Sequence, residues 1–417
     1  MTELATHNST AMGNFSYLSG NESSSSIRID APPLYEVIIQ CIFLFAVLIV
    51  AVVGNGIVSL CVFTNKHLQV PTNYFIVSLA AADFLFAVLA LPFRLYDVLA
   101  GYKWHLGLHT CRYWVWLDLL FCSASIANLA AISVDRYLKI SSPLTYNSRM
   151  TPKRVVLVLV LLWGYSMILA SLTLVQWSPD PKDQGRGTIV ENGICRMEAK
   201  IYLTIISVIG FFAPFAIMVL MYYFVFKVAV EHASRVARQH ESLRTRHTVT
   251  RKKRNRRRSS SSIALLEVKA TKTLILLLSV FCLCWCPYFV ISLISLHRIE
   301  WFYALPLWLN KLLRIMFVLF LPNCNSALNP IVYSTNNHQF RSVIRRMARK
   351  QRERARNFTN AFSEGSHFMT DSRRPSGSST KLKSISNHSA LQTKNKHFHK
   401  DALTSVARNK INSPTQR

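Results

Sequence analysis

The chain has 417 residues, 51% of them hydrophobic, and a formal net charge of +29 from 49 Lys and Arg against 20 Asp and Glu. Its apolar residues come in uninterrupted runs that would leave a soluble globule no polar faces, which excludes that class. The charge alone would suit a nucleic-acid binder, but 14 of the cations lie between Lys227 and Lys272 and 18 follow Tyr333, beside apolar runs that carry almost none. Partners are therefore sought at a membrane, with no nucleic acid among them.

Residues 1–34 are rich in Ser and Asn and carry one Arg against Glu3, Glu22 and Asp30. They contain three glycan acceptor triplets, at Asn8, Asn14 and Asn21, as an extracellular glycosylated tail would. No cleavable signal is expected ahead of the first apolar run, which itself directs insertion. Residues 35–335 then hold seven runs, each long enough to cross a hydrocarbon core about 30 Å thick as a helix. Val37–Phe63, Val155–Val175, Ile201–Phe226, Thr273–Leu296 and Ile315–Tyr333 contain no Asp, Glu, Lys or Arg, whereas Tyr74–Phe93 and Tyr113–Val134 each contain one carboxylate, Asp83 and Asp118. An all-α bundle of seven transmembrane helices is predicted. The excess of cations after the fifth run and after the seventh places the amino terminus outside and the carboxyl terminus inside.

Within the third run, Asp118 lies about two helical turns below Cys111 at the outer rim. Cys195, in the outer loop before the fifth run, faces the same oxidising compartment, so the pair is expected to close a disulfide over the bundle mouth. No basic residue is expected at the depth of Asp118. Trp114, Trp285, Tyr288 and Phe289 are expected near it, and a carboxylate among aromatic faces suits an ammonium ion. Asp83 is deeper, among the polar side chains of Asn55, Ser125, Asn325, Ser326 and Asn329. Those oxygens suit a sodium ion as a modulator; no other metal or cofactor is expected.

At the inner end of the third run, Asp135-Arg136-Tyr137 puts charge where an apolar span meets water. Arg136 is expected to pair with Asp135, or with Glu267 at the start of the sixth run, as a releasable clamp. Pro214, Pro287 and Pro330 interrupt the helical ladder of the last three spans. The third inner loop, about 233–262, is strongly cationic, especially over Arg251–Arg258 before Ser259–Ser262, and is predicted to be disordered. After the seventh span, Phe340, Val343, Ile344 and Met347 follow helical spacing with arginines on the other faces, so residues 336–350 read as a short amphipathic helix on membrane lipid. Residues 351–417 are predicted to be a disordered cytoplasmic tail.

Taken in order, these marks resemble the rhodopsin-type (class A) G-protein-coupled receptors. They are Gly54-Asn55, Leu79 to Asp83, Cys111, Asp135-Arg136-Tyr137, Trp163, Pro214 with Tyr222, Cys284-Trp285-Cys286-Pro287 and Asn329-Pro330-Ile331-Val332-Tyr333. Ser123 to Leu129 running into Ile132 to Tyr137 is similar to receptors for dopamine and other biogenic amines. The resemblance implies a small amine ligand held by Asp118, with Cys122, Ser207 and Asn323 in the contacting set. It further implies a relay past Trp285 and the trio Ile126, Pro214 and Phe281 to Arg136, Tyr222 and Tyr333. A heterotrimeric G protein would then engage Arg136 and the apolar knob Pro143-Leu144; kinases and arrestin would act on the tail, and the setting would be the plasma membrane. Asn323 and Phe320 depart from the family's amine-binding pattern, which usually has Tyr and Trp there, and Pro322 adds a kink. A receptor for a non-amine ligand, or one active without ligand, is the alternative. A seven-span transporter is a distant third, since no duplicated half is found, and an enzyme is not expected.

Overall fold

The computed structural model describes residues 32–177, 187–197, 199–244, 275–298, 300–301 and 304–371. Seven helices in it are long and apolar enough to cross a membrane: Leu34–Thr64, Pro71–Leu99, Gly107–Ser141, Pro152–Leu174, Lys200–Val228, Ile275–His297 and Trp308–Asn336. Proline occupies the first turn of the second and fourth, where its missing N–H removes a donor that has no partner anyway. Over its most apolar stretch 72% of the third span is buried, against 22% of the first and fourth. The third is thus the central post and those two face lipid.

Three spans carry a wider π-type turn near their outer halves: Phe86–Ala90 in the second, Ile206–Phe212 in the fifth and Arg314–Phe320 in the seventh. Such a turn inserts a residue and re-aims every side chain beyond it. The fifth-span π turn ends just before Pro214, and it takes up the disruption expected from that proline. The first and seventh spans approach so closely that a Cβ on Gly54 would lie 2.6 Å from Pro330 Cγ. Asn55 spans the same contact, its Nδ2 donating to the carbonyls of Ala51 and Ser326.

The outer loop before the fifth span forms a two-stranded antiparallel hairpin, β1 (Thr188–Glu191) and β2 (Ile194–Met197). Asn192 and Gly193 make its turn at φ 51° and 74°, a left-handed geometry that Asn-Gly accepts. Cys195 is bonded to Cys111, as expected, and Trp104 N–H donates to the Gly193 carbonyl, so the hairpin is fixed over the third span.

Two expected boundaries beyond the fifth and seventh spans differ. The helix of the fifth span continues through Arg244, so residues 233–244 are helical and not disordered loop. The helix after the seventh span runs from His338 to Asp371, past its expected end at 350. Beyond Met347 the apolar spacing stops, but Arg, Lys, Gln, Glu and Ala are strong helix formers and no glycine intervenes before Gly365. By contacts the chain divides into Met1–Arg349 and Lys350–Arg417. In the first unit Phe340 is fully buried, its ring 6.0 Å from that of Tyr333; in the second, Phe358 is exposed. Asn8, Asn14, Asn21, Glu267 and Arg251–Ser262 lie outside the described residues.

Candidate ligand-binding site

Below the hairpin the bundle encloses a cavity whose water-accessible core measures about 100 Å³, enough for a small organic molecule. Asp118, Trp114 and Cys122 of the third span line it, with Ser207 of the fifth and Trp285, Tyr288 and Phe289 of the sixth. These are the expected contacts, brought together from three spans. Tyr288 meets Trp285 edge-on at 5.7 Å between centroids, and Phe289 stacks on Phe211 at 4.2 Å, so the inner wall is a continuous aromatic surface. Ser207 spends its hydroxyl proton on the Leu203 carbonyl, 2.7 Å away, and presents the cavity with an acceptor.

One expectation fails directly. A basic residue does share the depth of Asp118: Arg94 Nη2 lies 3.9 Å from Asp118 Oδ2, and its guanidinium carbon sits 5.0 Å from the centroid of the Trp114 ring. The sequence reading ended the second span at Phe93. The helix instead runs on to Leu99, and the π turn at Phe86–Ala90 re-aims the residues after it, which brings Arg94 to the cavity wall. Trp104 stacks on Trp114 at 4.9 Å between centroids, completing a buried aromatic pair beside Arg94.

Asn323 does not join the site. Its Nδ2 donates to the Leu319 carbonyl one turn back, and Val318 is the seventh-span residue that reaches the cavity. Phe320 faces the first span, its ring 4.2 Å from Phe43. The π turn at Arg314–Phe320 explains both, because positions counted on a regular helix are out of phase beyond it. Arg196, Met197 and Ser292 also line the cavity and went unforeseen; Arg196 is paired with Glu191 across the hairpin. The Asn192-Gly193 pair was a legible signal for that hairpin.

Deeper in the bundle, Asp83 is fully buried and takes three hydrogen bonds: Ser125 Oγ at 3.0 Å and Ser326 Oγ at 2.8 Å to one oxygen, Asn329 Nδ2 at 2.8 Å to the other. Asn325, a turn before Asn329, buries its Oδ1 without a hydrogen-bond partner among the described residues. A carboxylate, two hydroxyl oxygens and a spare amide oxygen are hard donors that fit a small monovalent cation, while Asn329 offers nitrogen and would not be a ligand.

At the inner face Asp135 does not pair with Arg136. Its oxygens accept from Thr72 Oγ1 at 2.5 Å and from the Tyr146 hydroxyl at 2.6 Å. Burial pushes the Tyr146 hydroxyl above its ordinary titration range, and the Asp135 carboxylate pushes it further, so it remains a donor. Arg136 is buried, and its Nε has no partner among the described residues. Pro143 and Leu144 begin a short helix, Pro143–Arg149, in which Leu144 is 98% exposed and Tyr146 is buried. Ile126, Phe281 and Trp285 belong to one apolar cluster with Tyr333, whose buried hydroxyl has no partner among the described residues; Pro214, also buried, lies three residues after Phe211 of that cluster. Tyr222 packs against the same cluster, near Ser133, whose Oγ donates to the Leu129 carbonyl at 2.9 Å. Tyr137 packs its ring 5.8 Å from Phe224.

The family model described as "7 transmembrane receptor (rhodopsin family)" matches residues 54–333. The chain is 34% identical over 325 residues to the histamine H2 receptor of Homo sapiens, covering 77% of this chain and 82% of that one. The H2 receptor of Canis lupus familiaris is 32% identical over 336 residues, 79% of this chain and 84% of its own. The alpha-1A adrenergic receptor of Bos taurus is 30% identical over 363 residues, covering 80% and 73%.

Proposed function

The chain belongs to the rhodopsin family of seven-transmembrane receptors, a multi-pass membrane receptor that answers a small molecule and signals through a G protein, and we propose that the small molecule is an amine held by Asp118. The supporting observation is a carboxylate opening on an aromatic cavity. Its side chain is 31% exposed there, and its contact with Arg94, at 3.9 Å, is longer than the 2.7–2.9 Å of a charge-assisted hydrogen bond. An ammonium ion would make that bond at Asp118 while Tyr288 and Phe289 cover its apolar portion.

The response would run inward through Trp285, which lines the cavity and belongs to the same apolar cluster as Ile126 and Phe281. A shift there would repack the inner halves of the fifth and sixth spans, release Asp135 from Thr72 and Tyr146, and present Arg136 and Leu144 to the G protein. The amino terminus would lie outside the plasma membrane and the carboxyl terminus inside, where kinases and arrestin would act on the tail and lipid would meet the helix His338–Asp371. Sodium would be held by Asp83, Ser125, Ser326 and Asn325, where it neutralises the buried carboxylate.

Asp118→Asn tests the amine reading: amine-driven nucleotide exchange on the G protein should fall at least a hundredfold in potency at unchanged surface abundance, as expected for a desolvated charge pair. Unchanged potency would refute it. The Arg94 contact favours a second reading, a receptor for a non-amine ligand or one active unaided; basal exchange that survives Asp118→Ala would support that one.

A further inference from the structure

We propose that the cavity is built for an amphoteric ligand: an ammonium with a carboxylate, or an equivalent anion, on the adjoining carbon, the ammonium on Asp118 and the anion on Arg94. This rests on the amine reading and narrows it. The carrying observation is that charges of opposite sign line one small cavity side by side, Arg94 Nη2 and Asp118 Oδ2 3.9 Å apart with side chains 17% and 31% exposed. That spacing juxtaposes the two groups without locking them in a short bond, so a ligand bearing the reverse polarity can meet both at once.

A plain ammonium seated on Asp118 would lie beside the guanidinium, and in a cavity with low-dielectric walls that repulsion is substantial. Arg94 is held near the wall by two features independent of ligand. Its guanidinium carbon lies over the Trp114 ring, 5.0 Å from the centroid, and Asp97, one turn further along the second span and buried, lies in its field. Its positive charge therefore stays beside Asp118. An anion next to the ammonium turns that charge from an opponent into a partner, since a guanidinium is the side chain suited to pairing with a carboxylate. Apart from Arg196, which is paired with Glu191, and the hydroxyls of Ser123, Ser207 and Ser292, the rest of the lining, with Val115, Leu119, Leu203, Ile206, Tyr288 and Phe289, is apolar or aromatic, which favours an apolar side chain on the ligand. Aromatic and aliphatic α-amino acids and their close analogues have this pattern of charge.

Full-length receptor in membranes, coupled to G-protein nucleotide exchange, is titrated with matched pairs that differ only in the carboxylate: phenethylamine and phenylalanine, tyramine and tyrosine, histamine and histidine. The methyl esters keep the ammonium and similar bulk but lose the negative charge. In the unaltered receptor the amino acid of at least one pair should be about tenfold or more the stronger partner, and its ester no better than the amine. Arg94→Gln should abolish or invert that preference while amines still act, Arg94→Lys should keep part of it, and Asp118→Asn should lose both members, all at equal surface abundance. Amines stronger than their amino acids in every pair, or a preference untouched by Arg94→Gln, would overturn the proposal and leave the amine reading standing. If no member of any pair acts on the unaltered receptor, both readings fall.

Discussion

Asp118 shows how far a single residue can be read. Its presence in an apolar run marked it as a candidate, and Trp285, Tyr288 and Phe289 were expected near its level; all four line one cavity. Arg94 could not be found that way, because its inward aim depends on a local change of helical pitch at Phe86–Ala90 that hydropathy does not register. Likewise Asp135 was expected to turn to Arg136 beside it, but adjacent residues point to different faces of a helix, and Thr72 and Tyr146 lie where the carboxylate looks. Tyr146→Phe removes one of those donors from a buried carboxylate, a loss on the order of 1–3 kcal/mol. We expect basal nucleotide exchange to rise severalfold, and equal basal activity in the variant and the parent would refute this role. At Asp83, substitution by Asn keeps the hydrogen-bonding shape but removes the charge. Agonist affinity in the parent should weaken as sodium replaces a bulky organic cation in the medium, and the Asp83→Asn variant should show no such dependence.

Among elements, the seven spans were the most legible part of the chain, since an uninterrupted apolar run has few alternatives to a membrane helix. Their ends and internal irregularities were not. Proline marked Pro214 as a break, but the ladder is re-formed by a π turn placed just before it, and the corresponding turn in the seventh span displaced Asn323 from the cavity. Contact between spans adds a constraint that Gly54 makes visible. Gly54→Ala puts a methyl 2.6 Å from Pro330 Cγ, and the ring cannot yield without moving the seventh span. The variant should lose about 1–3 kcal/mol and show a lower thermal midpoint in detergent. Gly56→Ala, two residues on, meets nothing within 4 Å and should melt like the parent.

For the whole molecule, the net charge of +29 was informative only through its distribution, which left the spans apolar and crowded cations into the inner loop and tail. The hairpin belongs to this scale, because it joins the outer ends of spans far apart in sequence through the Cys111–Cys195 bond, whose partners are 84 residues apart. Cys195→Ser should cost about 2–5 kcal/mol of stability. Surface abundance should fall and agonist potency should weaken about tenfold in what remains, since Cys195, Arg196 and Met197 form the cavity's roof. Full potency in that variant would show that the hairpin holds its place through its hydrogen bonds to Trp104, Arg112 and Thr173.

The seven-residue helix Pro143–Arg149 carries two unlike side chains two positions apart: Leu144 reaching into water and Tyr146 turned back onto Asp135. Grip and latch are thus mounted on one lever. A G protein that presses on Leu144 must rock the same rigid piece that keeps the latch shut, so arrival of the partner would itself help to undo the restraint, and the receptor would open more readily in its company than alone.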